Sequence, residues 1–140
     1  KGKGENNIKS AMLASWVSQA SFTPPGLSIA VAKDRAVESL LQKGDNFALN
    51  ILSANNLKEP LKRFSKPFKP GENRFSGLET EETPNGQIII TESLAWLDAT
   101  VKDRMECGDH WVIYAEVNYG SVIRKDDLTA VHHRKSGSNY

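Results

Sequence analysis

Several features that mark common classes of protein are missing or scarce in this chain of 140 residues. It holds one cysteine, Cys107, which excludes an intrachain disulfide and a zinc cluster built from cysteines. Its 18 basic side chains are nearly balanced by 17 acidic ones, so it lacks the basic surface that nucleic-acid binding needs. No apolar run approaches the ~18 residues of a membrane-spanning helix. No basic start leads into an apolar segment, so we expect no signal peptide and a cytoplasmic protein.

Sequence motifs that mark nucleotide-binding or hydrolytic enzymes are absent as well. Neither G-x-G-x-x-G nor G-x-x-x-x-G-K-[ST] occurs, so a Rossmann fingerprint and a P-loop are excluded. The nucleophile motif G-x-S-x-G is also missing. His132 and His133 would point to opposite faces of a strand, and Cys107 and His110 have no further ligands nearby in the sequence. We therefore predict no metal site.

The remaining composition is that of an ordinary globular domain. Hydrophobic residues make up 39% and charged residues 25% of the sequence, and the length fits one domain. Residues 1–7 are polar and include glycine. We interpret them as a linker or the remnant of a longer chain, and we assign residues 8–140 to the domain.

Alternating apolar and polar residues, with turn signals between them, predict a domain rich in β-strands. The strands are expected at Ala11–Gln19, Leu27–Ala32, Asn46–Leu52, Gln87–Thr91, Leu94–Arg104, His110–Ser121 and Leu128–His133. One helix is expected from an Asp34 N-cap to Lys43, and a second from near Pro60, with Leu61 and Phe64 inward. Because most links between strands are short, we predict a mainly β fold, an antiparallel barrel with two or three short helices.

Hydroxyl side chains recur every third residue in the first predicted strand, at Ser15, Ser18 and Ser21, and Thr23 follows. Neutral hydrogen bonds from such hydroxyls can hold an anionic group without a lysine. The alternative is a polar strand face whose hydroxyls bond the neighbouring backbone. The next strand, Leu27–Ala32, has one face of small residues, which indicates that a flat ligand or another strand lies against it.

Three further places carry candidate ligand contacts, each with a structural alternative. Lys33-Asp34-Arg35 ends the second strand and could offset negative charge on a ligand, or could be a solvated strand end. Arg63-Phe64 and Arg74-Phe75 flank a loop that could fold over a ligand, or could be core phenylalanines beside exposed arginines. In Gly108-Asp109-His110 the histidine could donate to a ligand, or the segment could simply be a turn.

Taken together, these segments resemble the flavin reductase-like family with an FMN-binding split barrel. The residues that carry the resemblance are Leu13 to Arg35 (LASWVSQASFTPPGLSIAVAKDR), FALNIL, the two Arg-Phe pairs, GDH and the tail HHRKSGSNY. Within that family the chain is most similar to the C-terminal flavin reductase domain of cyanobacterial-type flavodiiron proteins, also called diflavin flavoproteins. The glycine often found just before Met12 in relatives is absent here.

The resemblance implies roles for individual residues. The flavin phosphate and ribityl groups would be held by Ser15, Trp16, Ser18, Gln19 and the turn from Ser21 to Thr23. The flavin ring would be lined by Ala32, Lys33 and Asp34, with Asn50 nearby. His110 would lie towards the nicotinamide, and Lys33 would stabilise charge on the reduced ring.

The function implied by the resemblance is that of an NAD(P)H:flavin oxidoreductase domain that binds FMN, or FAD, at a homodimer interface. In the resembling proteins such a domain passes electrons to a flavodoxin-like module and to a diiron module that reduces oxygen. This chain carries no diiron ligand set of its own. The alternatives are a flavin-binding module that reacts poorly with nicotinamide and a dimerisation module with an empty pocket. Neither NADH over NADPH nor FMN over FAD is selected by a motif.

Overall fold

This computed structural model describes residues 10–66 and 72–131, which form seven strands, one α-helix and one 3₁₀-helix. The strands are β1 (Val17–Ser21), β2 (Gly26–Ala32), β3 (Asn46–Ile51), β4 (Thr80–Glu82), β5 (Ile88–Ile90), β6 (Ala95–Cys107) and β7 (His110–Val122). The 3₁₀-helix spans Ala36–Leu40, and α1 spans Lys58–Phe64. The predicted mainly β, antiparallel architecture is confirmed.

Five strands form one antiparallel sheet in the order β1-β2-β7-β6-β3, and β4 pairs with β5 in a small second sheet. The longest strands, β6 and β7, form a hairpin whose turn is Gly108-Asp109, with Gly108 at φ +57°. Glycine suits this turn because it adopts positive φ without a steric cost. The hairpin predicted at this point is confirmed, although β6 continues three residues beyond the predicted end at Arg104.

The core lies on one face of the sheet and follows from the alternation of β2. Leu27, Ile29 and Val31 are buried, whereas the residues between them face the other side of the sheet. Their partners on β7 include Ile113 and Ala115, which are 1% and 0% exposed. A strand with one apolar face against the core and one partly open face is what period-two alternation predicts. This arrangement leaves the second face of β2 available to a ligand.

The β4–β5 hairpin is held against β6 by the buried carboxylate of Asp98. This group accepts hydrogen bonds from the Thr83 hydroxyl and from the side-chain amides of Asn85 (2.9 Å) and Asn118 (3.4 Å). Asp98 is fully buried, so these donors replace the water that the carboxylate loses on folding. The Thr83–Gly86 turn was predicted from the sequence, whereas β4, a short strand of polar residues, was not.

Two local predictions were wrong. The strand predicted at Ala11–Gln19 starts only at Val17. The Ala11 carbonyl instead accepts a hydrogen bond from Arg74, whose guanidinium also binds the Arg63 carbonyl of α1. The helix predicted from Asp34 to Lys43 is a five-residue 3₁₀-helix, and no side chain caps its first turn. Gly44 still ends this segment, at φ +94°.

The remaining predicted elements are confirmed in part. The helix expected near Pro60 begins two residues earlier, at Lys58, and buries Pro60 and Phe64. The strand predicted at Leu128–His133 is reduced, in its described part, to a single bridge between Ser53 and Thr129. Its last two residues, with the tail HHRKSGSNY and residues 1–9, lie outside the described residues.

Candidate functional site

Two of the predicted serines, Ser18 and Ser21, lie on β1 at the edge of the five-stranded sheet, where a bulge changes the orientation of Ser21. A spacing of three normally places two side chains on opposite faces of a strand. Here Ser18 pairs with Ser28, but the register then shifts, so that Ser21 pairs with Gly26. The extra residue, Ala20, therefore turns Ser21 onto the same face as Ser18. The bulge converts a spacing of three into two hydroxyls on one face of the sheet.

The same face continues across β2 and β7 as a shallow surface that we call the outer trough. Its floor is formed by the small residues Ser28, Ala30 and Ala32, which alternate with the core residues of β2. On one side it is bordered by Ser18 and Ser21 on β1 and by Trp16 just before that strand. On the other side it is bordered by His110 and Tyr114 on β7. Six residue steps along β2 give the trough a length of about 20 Å. It is long enough for an extended ligand that lies along the strand.

Two rings meet over one end of the outer trough. The Trp16 and His110 ring centroids lie 4.9 Å apart at an interplanar angle of 32°. Trp16 is opposite Ala30, and His110 is opposite Ala32, so the rings approach each other diagonally across β2. Two methyl side chains beneath them leave the necessary space. This end of the trough is therefore aromatic and offers a flat surface to a planar group.

His110 is oriented by the residue before it. Its Nδ1 lies 2.7 Å from an Asp109 carboxylate oxygen, which fixes the ring and leaves Nε2 directed away from that bond. The hydrogen bond with His110, followed by the attraction of the ring's charge, lowers the pKa of the Asp109 carboxyl. Asp109 also accepts a bond at its carbonyl from the Lys33 N–H, at 2.9 Å, which joins the end of β2 to the β6–β7 turn.

At its other end the trough is covered by Tyr114. A Cβ atom on Gly26 would lie 2.7 Å from Tyr114 Cε2 and 2.8 Å from its hydroxyl oxygen, so the ring lies flat on the glycine. Because Gly26 pairs with Ser21, the phenol hydroxyl is close to the hydroxyl end of β1. The sequence analysis did not identify Tyr114. Its place in the register of β7 opposite Ser28 could have indicated it, once the pairing of the strands was known.

Lys33 follows Ala32 at the end of β2, but its ammonium group lies on the core side of the sheet, beside the partner of Val31, and a carboxylate there neutralises its charge. Its Nζ is 2.5 Å from a Glu106 carboxylate oxygen and 5.5 Å from the centroid of the Trp111 ring. The hydrogen bond from Lys33, followed by its positive charge, lowers the pKa of the Glu106 carboxyl. Asp34 beside it is exposed, 4.0 Å from Arg35 Nε. An anionic ligand at Lys33 would therefore compete with the Glu106 carboxylate for the lysine ammonium group.

A cavity of about 710 Å³ lies on the other side of β1. It is lined mainly by apolar residues from β2, β3, α1 and residues 10–15. Predicted site residues that line it are Ser15, Ser18, Gln19, Ser21 and Asn50. Its volume is within the ~300–1,000 Å³ typical of small-molecule sites. The cavity lies beside consecutive residues of both β1 and β3.

The other predicted residues are divided between these places. Gln19 pairs with the core residue Leu27 and therefore faces the cavity and not the trough. Ser15 and Thr23 flank β1 and are exposed. The Asn50 amide donates to the Ile88 carbonyl at 3.1 Å and accepts from the Ile90 N–H at 2.8 Å. Asn50 thereby attaches β5 to β3, so a flavin contact would have to share an amide already used on both sides.

Of the two alternatives given for Arg74, an exposed arginine is wrong, because its relative exposure is 7%. Its guanidinium donates to three backbone carbonyls, those of Ala11 (3.0 Å), Arg63 (3.2 Å) and Lys66 (2.8 Å). Burial lowers the pKa of Arg74, and the charge of Glu72 opposes this effect. The neighbouring Phe75 packs against Phe64, with ring centroids 5.5 Å apart, beside the cavity. The two Arg-Phe segments therefore contact each other through their phenylalanine rings and through the bond from Arg74 to the Arg63 carbonyl.

Within residues 10–66 and 72–131, no cluster of three or more His, Cys, Asp or Glu side chains suits a metal ion. The described helices include none long and apolar enough to cross a membrane. Cys107 is a free, partly buried thiol opposite His110.

Comparison with models of protein families identifies the family of the chain. Residues 2–138 match the model of the flavin reductase like domain. The chain belongs to this family. The predicted family and its split-barrel fold are confirmed.

The curated relatives also agree with the predicted branch of the family. The chain is 56% identical over 138 residues to diflavin flavoprotein A 1 of Synechocystis sp., covering 99% of this chain and 24% of the relative. It is 54% identical over 136 residues to putative diflavin flavoprotein A 6 of Nostoc sp., covering 97% of this chain and 24% of the relative. The chain thus spans about a quarter of the length of these relatives.

Solved structures show the same fold at lower identity. NADH:FAD oxidoreductase SgcE6 of Streptomyces globisporus aligns with a TM-score of 0.76 at 23% identity, covering 84% of this chain and 70% of that one. That protein has also been solved in complex with NAD and FAD fragments. Flavin reductase HpaC, solved with NADP+, aligns with a TM-score of 0.67 at 22% identity, covering 85% of this chain and 80% of that chain. At this identity the likeness shows the fold.

Proposed function

We propose that the chain is an FMN-binding NAD(P)H:flavin oxidoreductase domain of a longer flavodiiron protein, and that the outer trough holds the flavin. The observation that carries this proposal is the bulge at Ala20. It places Ser18 and Ser21 on the same sheet face as the Trp16–His110 rings, over a floor of small side chains. Hydroxyl donors at one end and a flat aromatic surface at the other match a ligand with an anionic tail and a planar ring.

At the tail end, the residues present fit a phosphate bound by neutral donors. Ser21 and Tyr114 each offer an O–H, and Ser18, whose hydroxyl donates to the Gln19 carbonyl at 3.3 Å, would exchange that bond for the phosphate. FAD could use the same end through its first phosphate. Uncharged donors at this end also agree with the nearly balanced charge of the whole chain, which is +1 at pH 7.

At the ring end, the chain's residues would orient the reacting groups and exclude water. When bound, the flavin supplies a ring that accepts a hydride from reduced nicotinamide, so no acid–base side chain is required for that transfer. Trp16 would pack beside the ring, and His110, held by Asp109, would direct Nε2 towards the nicotinamide. Lys33, which bonds Glu106 on the core side of the sheet, would have to exchange that bond and turn around the end of β2 to offset negative charge on the ring.

The wider role follows from the relatives and belongs to the same proposal. A domain that spans about a quarter of a diflavin flavoprotein would pass electrons to the other modules, a flavodoxin-like one and a diiron one that reduces oxygen. A homodimer that completes the flavin site and a cytoplasmic location are parts of this proposal.

The test separates flavin binding from flavin reduction. Ser18→Ala with Ser21→Ala removes two hydrogen bonds to a charged group, at about 1.5–3 kcal/mol each, so FMN affinity should fall at least ~100-fold in a fluorescence titration. Ser39→Ala, on the 3₁₀-helix, is the control and should bind FMN like the unchanged chain. Undiminished affinity in the double variant would refute the placement of the tail.

Reduction is then followed by the flavin absorbance of the FMN-loaded chain under anaerobic conditions. Addition of NADH or NADPH should bleach the flavin. FMN binding without bleaching by either nucleotide would contradict the oxidoreductase role and favour a module that receives electrons from another protein.

A further inference from the structure

The large cavity lies at the edges of two strands. Successive side chains of a strand point to opposite faces, so a pocket on one face touches every second residue. This cavity instead touches Val17, Ser18 and Gln19 in succession on β1, and every residue from Asn46 to Leu52 along β3. It therefore lies beside both strand edges, in the plane of the sheet. The two strands are the outer members of the order β1-β2-β7-β6-β3, so the cavity is a gap between the ends of a curved sheet.

Backbone groups of β1 point into this gap. The bond from the Ala30 N–H to the Trp16 carbonyl, at 3.0 Å, marks residues 16 and 30 as a hydrogen-bonded pair. In an antiparallel ladder such pairs alternate, so the N–H and C=O groups of Val17 and Gln19 point away from β2. Within the described residues no strand pairs with this edge. The N–H groups of both residues and the Val17 carbonyl have no strand partner among the described residues, whereas the Gln19 carbonyl accepts a bond from the Ser18 hydroxyl at 3.3 Å. Such an edge beside an apolar gap is a template for a further strand.

Two backbone hydrogen bonds lie at the β3 side of the gap. The Ala130 N–H donates to the Leu52 carbonyl at 2.8 Å, and the Ala54 N–H donates to the Leu128 carbonyl at 2.9 Å. These bonds lie just beyond β3, whose own outer edge has no strand partner among the described residues, so the gap has an unpaired strand edge on each side. Ser10, on the cavity wall, has a buried Oγ without a hydrogen-bond partner among the described residues. An incoming backbone would supply one.

The occupant must be apolar, and the undescribed ends of this chain are not. Residues 1–9 (KGKGENNIK) contain one aliphatic side chain, and residues 132–140 (HHRKSGSNY) contain one aromatic side chain. Leu27, Leu49 and Phe64 line this gap together with hydroxyl side chains of β1, so a flavin is the competing occupant. The relatives offer a source, since this chain spans 24% of diflavin flavoprotein A 1. It also covers only 70% of SgcE6.

We propose that the gap is a docking site for one β-strand from the parent protein outside residues 1–140, which pairs with β1 and closes the barrel. The strand has five to seven residues, comparable with β1 and β3. Every second side chain is apolar and packs on the core through Val17 and Leu49. The proposal depends on the proposed function only in taking the chain as one domain of a longer protein.

The test is amide hydrogen exchange, compared between the 140-residue chain and the full parent protein without added nucleotide. The amides of Val17 and Gln19 should exchange at least ~100-fold more slowly in the parent, because strand pairing protects them. The Ser18 amide, directed towards β2, is the internal control and should change much less. Because flavin reduction is not measured, failure of the oxidoreductase role would leave this result unaffected.

Three results would overturn the proposal. Equal exchange of the Val17 and Gln19 amides in both proteins would show that no strand docks. Slowing of both amides in the 140-residue chain on addition of FMN would make the gap a ligand pocket. Slowing that grows with the concentration of the 140-residue chain alone would assign the gap to a second copy.

Discussion

The contact between Gly26 and Tyr114 gives a prediction whose sign depends on the second residue. Gly26 is not among the glycines with positive φ, so alanine is conformationally allowed there. Replacing glycine by alanine at such a position removes freedom from the unfolded chain and stabilises by about 0.4–1 kcal/mol. The new methyl group, however, would lie 2.7 Å from Tyr114 Cε2, well inside contact distance.

The clash should outweigh the entropic gain. Extra methyl groups in packed sites cost about 1–3 kcal/mol, so Gly26→Ala should lower the free energy of unfolding by roughly 0.5–2 kcal/mol. In a Tyr114→Ala background the clash is absent, and the same change should stabilise by about 0.4–1 kcal/mol. The Tyr114 ring would also leave the hydroxyl end of the trough in Gly26→Ala, so FMN affinity should fall.

Equilibrium urea unfolding of the four proteins in this cycle, followed by tryptophan fluorescence, measures the two values. The coupling between the two sites is expected to exceed 1 kcal/mol, as for residues in direct contact. If Gly26→Ala had the same effect in both backgrounds, the ring would not lie on the glycine, and the assignment of Tyr114 to the trough would fail with it.

Two further predictions concern the charged groups. Arg74→Met should lower the free energy of unfolding, measured by urea denaturation, by about 2–4 kcal/mol, because three carbonyls lose a charged donor. The control Arg35→Met on the surface should change it by less than ~0.5 kcal/mol. Equal effects of the two substitutions would contradict the buried role of Arg74. Because its pKa is lowered from 4.5, Glu106 stabilises the fold above that pH and loses this effect as pH falls through the lower folded pKa. Tm should therefore fall less steeply between pH 5 and 2 in Glu106→Gln, and an unchanged slope would argue against the Lys33 pairing.

Much of the fold was predictable because local signals and tertiary structure agree. β2 was predicted from the alternation of Leu27 to Ala32. The β6–β7 hairpin was predicted from the Gly108-Asp109 turn between two long alternating segments. The failures occurred where a distant group competes with local preference. Arg74 binds the Ala11 carbonyl, which holds the start of the first predicted strand away from the sheet. Such a contact, 63 residues apart, leaves no local pattern.

The candidate site could be proposed from the sequence as a segment but not as a geometry. The site residues between Ser15 and Lys33 stay a prediction, and only strand pairing shows that Gln19 lies on the Leu27 side of β1 while Ser18 and Ser21 lie on the other side. Asn50 has the residue type of a ligand contact, but its amide is used to attach β5. Tyr114 could not be identified from the sequence, because its role depends on contact with Gly26. That glycine pairs with Glu116, two residues further along β7.

The single additional residue at Ala20 has a consequence for comparing related chains. An insertion or deletion of one position between Ser18 and Ser21 would rotate one hydroxyl to the apolar side while leaving the composition of the segment almost unchanged. Among homologues, the count of residues between these two serines should therefore discriminate phosphate-competent pockets better than overall percentage identity does.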